Sequence, residues 1–363
     1  MRSSFIRFAA VLGFVAIIGY APAVQPVVTA AAGPQFQSIG PLTFGPDGTL
    51  YAADSAAATI YALTLAGQDR GGAAGTASVD GIDQKIAALL GTDTKDIAIA
   101  DLAVHPTTHN SFLAVMRGQG ANAKPALVRV DGAGAVTLVP TDALAFTSVA
   151  LPNAQKGAAG QRTQSLTQVK FAEGRVWVSG LSNEEFASKL WSIPYPFTKG
   201  DSGTSLEIFH DNHRQLETRA PMYAFVPYAI NGQPHIVGAY TCTPLVKFPV
   251  AELKPNSGSK YRGTTIAELG AGNRPIDMIV YSKGGKDFLL MANTSRGVMK
   301  IPTAAFGSAA AITTPSNTET AGVPFEKIAT LQNIQQLALL DATHSVVIRG
   351  GAAALALSAI DLP

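Results

Sequence analysis

Leu42-Thr43-Phe44-Gly45-Pro46-Asp47-Gly48-Thr49-Leu50-Tyr51-Ala52-Ala53-Asp54, followed after four small residues by Thr59-Ile60-Tyr61-Ala62-Leu63, is the stretch that decides the fold. It reads as a short apolar strand, a Gly-Pro-Asp-Gly turn, a second strand, a polar corner and a third strand. Gly and Asp suit such a turn because they supply positive φ and side-chain bonds to the backbone. Pro41 opens this unit, and the same order of segments opens again at Asp101, Gln168, Tyr223, Asp277 and Gln336. The intervals run from 54 to 67 residues. Repeated small antiparallel sheets of this size predict an all-β protein, a six-bladed β-propeller.

The second strands support this reading. Phe112-Leu113-Ala114-Val115, Val176-Trp177-Val178, Phe288-Leu289-Leu290-Met291 and Val346-Val347-Ile348 are apolar throughout, as strands covered on both faces must be. Third strands such as Ala126-Leu127-Val128-Arg129-Val130 alternate more and belong further out. Two stretches fall outside the repeat. Residues 67–96 hold a Gly/Ala-rich loop and then Ile82 to Leu90, whose apolar positions 82, 86, 89 and 90 before Gly91 predict a short amphipathic helix with its C-cap. Residues 140–164 read as a polar surface loop. Long connections on a rigid scaffold either carry binding or act as spacers.

Residues 1–32 read as a signal peptide. Arg2 and Arg7 precede an uncharged apolar run from Phe8 to Tyr20, and small-residue sites follow at Ala21-Pro22-Ala23 and Ala30-Ala31-Ala32. The run is short for a bilayer span, which needs about 20 residues; an uncleaved anchor is the alternative. Residues 33–363 then form a single domain, expected to be periplasmic or secreted, monomeric and without a membrane span. A net charge of +2 and the lack of a basic run with aromatics exclude electrostatic nucleic-acid binding. The single cysteine, Cys242, excludes an internal disulfide.

In a propeller the first strands line the central channel, so strand-opening residues converge on the axis. Asp101, Gln168, Tyr223, Asp277 and Gln336 are therefore the candidates, together with the corner residues Asp54, Arg117, Asn293 and Arg349. Carboxylates and amide oxygens at Asp54, Asp101, Asp277 and Asn293 would suit Ca²⁺ or Mg²⁺. Arg117, Arg296 and Arg349 point instead to an anionic ligand, with Gln168, Tyr223 and Gln336 beside them. Pairing of these arginines with the aspartates would simply close the channel. Asn183-Glu184-Glu185 reads as a solvated corner. His210-Asp211-Asn212-His213 is only part of a zinc set and reads as an exposed loop. Cys242 has no activating base nearby in sequence and reads as a small buried filler. No nucleophile elbow, phosphate loop or His-Glu-x-x-His motif is present.

Phe44 to Asp54 resembles the NHL-repeat and SMP-30/gluconolactonase group of six-bladed propellers, and Arg274-Pro275-Ile276-Asp277-Met278 is similar to strand openings in that group. The stretch from Thr241-Cys242 to Arg296-Gly297 is similar to exported bacterial proteins of the same type. In the lactonase branch a divalent metal is held at strand openings, so the resemblance implies Asp277 as an acidic ligand and Asp101 as another. The expectation is an exported binding module for a small ligand, ion or protein partner at the funnel or upper face. The alternatives are a metal-dependent lactone or ester hydrolase, and an accessory factor for another exported enzyme.

Overall fold

The computed structural model describes residues 33–363 apart from 66, 70–77, 154, 156–163, 243, 256 and 352–353. Residues 1–32, expected from the sequence to be a signal peptide, lie outside the described residues. The chain folds as a six-bladed β-propeller of six sheets, numbered in chain order, antiparallel apart from Lys260–Arg262, which pairs parallel with Thr204–His210 in the third. In every blade the first, second and third strands are neighbours, as the repeat requires. Among the described residues, no helix is long and apolar enough to cross a membrane.

Local chemistry sets the strand ends. In the first blade, Asp47 Oδ1 accepts the Thr49 N–H at 3.1 Å, and Gly48 adopts φ 82°. A Cβ at Gly48 would lie 2.7 Å from His105 Nε2, so glycine is needed for space as well as conformation. The equivalent turn of the second blade uses His105 itself: its Nδ1 accepts the N–H groups of Thr107 and Thr108, both at 3.1 Å. Second strands are the most deeply buried; all five residues of Leu50–Asp54 are covered.

Blade order around the ring differs from chain order. Phe44 of the first blade meets Phe112 of the second edge-on, with ring centroids 5.3 Å apart. On its other face, Tyr51 stacks on Phe171 of the third blade at 5.1 Å. The first blade therefore lies between the second and the third. Apolar clusters continue from third to fourth, fourth to fifth, fifth to sixth, and from the sixth back to the second. The ring runs first, third, fourth, fifth, sixth, second.

The two stretches outside the repeat explain how this is threaded. After Thr59–Thr64 the chain supplies Val79–Asp80 to the outer edge of the sixth blade, pairing with Leu357 and Ala356. The helix α1 (Ile82–Leu90) follows, capped by Gly81 and Gly91 in left-handed conformations. It buries Ile82, Ile86 and Ala87 between the sixth and second blades, while Leu89 is exposed, contrary to the periodicity reading. The second blade is then built, and Ala145–Ala150 returns as the fourth strand of the first blade, pairing with Thr59–Thr64. The expected surface loop at 140–164 thus contains an edge strand.

The aromatic and proline-rich segment Ile193-Pro194-Tyr195-Pro196-Phe197 in the third blade packs against the first. Its strand ends at Pro194, and Tyr195 and Phe197 close over Tyr51. Glu184 pairs with the buried Lys189 and accepts from Asn153 Nδ2 at 2.6 Å, which gives that corner a structural role.

Candidate functional site

The first strands of four blades carry a β-bulge at the same height. Register shifts fall between Ile99 and Asp101, Met222 and Ala224, Pro275 and Asp277, and Ile334 and Gln336. Bulges re-aim side chains, and a ring of them at one end of the channel fixes which residues turn inward. They also correct the alignment of the fourth blade. Tyr223 is itself the bulged residue, so the counterpart of Asp101, Asp277 and Gln336 there is Ala224.

At this end the channel opens into a cavity of about 630 Å³. Asp101, Gln168, Tyr223 and Gln336 line it, joined by Pro41, Thr167, Arg274, Thr294, Asn333 and Gln335. Arg274 was legible only as part of a strand opening, yet its guanidinium lies over the Tyr223 ring at 4.9 Å from the centroid. Among the described residues Arg274 makes no ion pair. Gln336 Nε2 donates to the Ala100 carbonyl at 3.2 Å and so ties the sixth blade to the bulge of the second.

Beneath the cavity the buried polar groups are connected. Gln168 Nε2 and Lys170 Nζ both donate to Asp277 Oδ1, at 3.2 and 3.4 Å. Asp277 Oδ1 also accepts the Met278 N–H at 2.8 Å. Asp101 repeats the device: Oδ1 accepts the Leu102 N–H at 2.8 Å and Oδ2 the Leu42 N–H at 2.6 Å. Burial pushes both carboxyls above the ordinary carboxylate range, and for Asp101 the charge of Asp277 adds to it. The backbone N–H groups and Lys170 oppose that rise. Lys170 was missed in the sequence, although it follows Gln168 by two on one strand and so shares its face.

The remaining candidates are held elsewhere. Asp54 is fully buried, and accepts from Gln37 and Ser38 N–H, the Ser38 hydroxyl and Ala57 N–H. Asn293 bonds Asn273 and the Gly297 carbonyl. Arg117 donates to the Gly91 carbonyl, and Arg296 pairs with Glu319 and the Ala271 carbonyl. Arg349 is exposed at the end of its strand.

A hard divalent cation needs several free oxygen ligands. Here an ammonium already faces Asp277, both oxygens of Asp101 accept N–H groups, and Asp54 and Asn293 are engaged away from the axis. The donor set does not fit Ca²⁺ or Mg²⁺, and no hydrolytic step is derived through an ion there.

No protein-family model and no curated protein matches the sequence. Among solved structures, the chain is similar to the PQQ-bound form of aldose sugar dehydrogenase from Streptomyces coelicolor, at 11% identity with a TM-score of 0.32. The match covers 91% of this chain and 95% of that one. A likeness at that level says nothing about the site of this chain.

Proposed function

We propose that this chain is a binding propeller whose axial cavity takes a small polar ligand carrying an anionic group and hydroxyls. The observation that carries this reading is Arg274, which lies over the Tyr223 ring at the cavity wall and pairs with no carboxylate among the described residues. A carboxylate on the ligand would accept forked N–H bonds from it. Gln168, Gln335, Gln336, Asn333 and Thr294 offer the amide and hydroxyl groups that suit a polyhydroxylated body. Export to the periplasm or beyond, and kinship with the NHL/SMP-30 group, belong to the same proposal and rest on the sequence of residues 1–32 and 44–54.

The test is calorimetric binding of a panel of small hydroxy acids and sugar acids beside their neutral counterparts. Anionic members bind and neutral ones bind more weakly; Arg274→Ala and Tyr223→Ala reduce affinity at least about tenfold, the loss of one charge-assisted contact. Equal binding by wild type and Arg274→Ala, or no binding by any member, sinks the reading.

A further inference from the structure

A second cluster of chemistry-bearing side chains lies well outside the axial cavity, where the third blade meets the fourth. The strand Thr204–His210 ends at His210, a four-residue turn brings His213 back, and Gln215–Glu217 pairs with the strand just completed. Glu217 spans both imidazoles: Oε2 is 2.8 Å from His210 Nδ1, and Oε1 contacts His213 Nδ1. The two rings lie 4.0 Å apart. A carboxylate at Nδ1 fixes the proton there, and Nε2 becomes the lone-pair nitrogen of each ring. His210 is 1% exposed and its Nε2 has no hydrogen-bond partner among the described residues, a condition that calls for an explanation in a buried polar atom.

Cys242 supplies one. It comes from the fourth blade, in the corner between the strands Gln233–Tyr240 and Pro244–Pro249. It is half-buried rather than a core filler, and its backbone holds φ 60°, with its N–H donating to the Asn273 carbonyl at 2.6 Å. One ligating atom from each of His210, His213 and Cys242 lies within 4.8 Å of the others. Tetrahedral bonds of about 2.0 to 2.3 Å need ligand atoms roughly 3.3 to 3.6 Å apart, so closure takes about 1 Å of side-chain movement.

We propose that His210, His213 and Cys242 bind a transition ion of the zinc class, with Glu217 orienting both imidazoles. Two nitrogens and a thiolate exclude the hard oxygen-seeking ions and suit zinc or copper. A carboxylate behind each histidine is the usual support of such ligands. Three protein ligands leave a fourth position, and the histidines and Glu217 also line a surface cleft of about 450 Å³ with Arg219 and Thr241, from which water or an anion can reach it.

The test is a Co²⁺ titration of the chelator-stripped full chain, followed by Zn²⁺. One equivalent of Co²⁺ gives a thiolate-to-metal charge-transfer band with tetrahedral visible bands, and Zn²⁺ bleaches both. Cys242 is the only cysteine, so the band has one possible source. Glu217→Gln weakens metal binding about 10- to 100-fold and keeps the band; Cys242→Ser abolishes the band. Zn²⁺ also protects Cys242 of the wild type from alkylation, a readout that stands if a variant fails to fold. Failure to take up stoichiometric Co²⁺, uptake with no thiolate band, or alkylation indifferent to Zn²⁺ overturns the assignment. Copper binding more tightly through the same thiolate supports it.

Discussion

The side-chain amide of Gln168, on the third blade, reaches Asp277 on the fifth, Nε2 to Oδ1 at 3.2 Å, although the fourth blade stands between them in the ring. The fourth blade places Ala224 at the corresponding position, and a methyl group leaves the neighbours room to meet. Lys170 joins the same carboxylate, so two side chains of the third blade share one acceptor on the fifth.

Removing the shared acceptor strands its donors. Asp277→Ala leaves an ammonium and an amide without their partner, and breaking a buried pair this way destabilises by about 3 to 5 kcal/mol. Asp277→Asn keeps an acceptor oxygen and loses less. Denaturant midpoints of the two variants against wild type decide the matter, and equal midpoints would refute the shared-acceptor role.

Filling the gap at the fourth blade has a different signature. Ala224 is fully buried in the apolar cluster between the fourth and fifth blades, so Ala224→Leu overpacks that seam and lowers stability by about 1 to 3 kcal/mol. The larger side chain also separates Gln168 from Asp277. In combination with Asp277→Ala the two losses fall short of additive, because both break one contact.

Stability also depends on pH through Asp101. Its folded carboxyl is raised above the ordinary 3.8 by burial and by Asp277, with Leu42, Lys170 and Leu102 opposing. The folded state then keeps a proton that the unfolded chain has released, so this contribution is full below 3.8 and lost as pH rises through the folded value. Asp101→Asn flattens the decline in melting temperature from the ordinary carboxylate range toward neutrality. A profile unchanged by the substitution refutes the assignment.

Ring closure can be locked covalently. Asp80 and Ala356 are register partners where the early edge strand meets the last blade. Facing residues in antiparallel strands have Cα atoms about 4.5 to 5.5 Å apart, within disulfide range. Asp80→Cys with Ala356→Cys, in a Cys242→Ser background, forms a bridge on oxidation and stabilises by up to about 4 kcal/mol. Non-reducing electrophoresis and melting with and without reductant check it.

The propeller was legible because turn chemistry is local: Gly48, Asn231 and Gly232, and Gly284 and Gly285 announce their hairpins by residue type and adopt positive φ. Ring order was not legible, since it depends on which exposed edge accepts Val79–Asp80 and Ala145–Ala150, a matter of distant pairing. The funnel was half legible. Strand-opening positions identified Asp101, Gln168 and Gln336, but a bulge adds one residue without changing composition, so Tyr223 was aligned one place out of step with Ala224. His210 and His213 could be read as a partial ligand set. Cys242 could not be joined to them, because the approach of the third blade to the corner of the fourth is set by packing around Trp177, Phe225 and Phe248.

The placement of Val79–Asp80 on the final strand has a consequence for how the molecule is made. A chain that emerges N-terminus first has no partner for this segment until Leu355–Asp361 has been synthesised. The first blade likewise waits for Ala145–Ala150, and the second blade stays uncovered on one face until the sixth arrives. Such non-local pairing is slow and leaves strand edges open to wrong partners in the meantime. Refolding of this protein is therefore limited by assembly of the last blade, and truncation after the fifth yields an open arc with two unprotected edges.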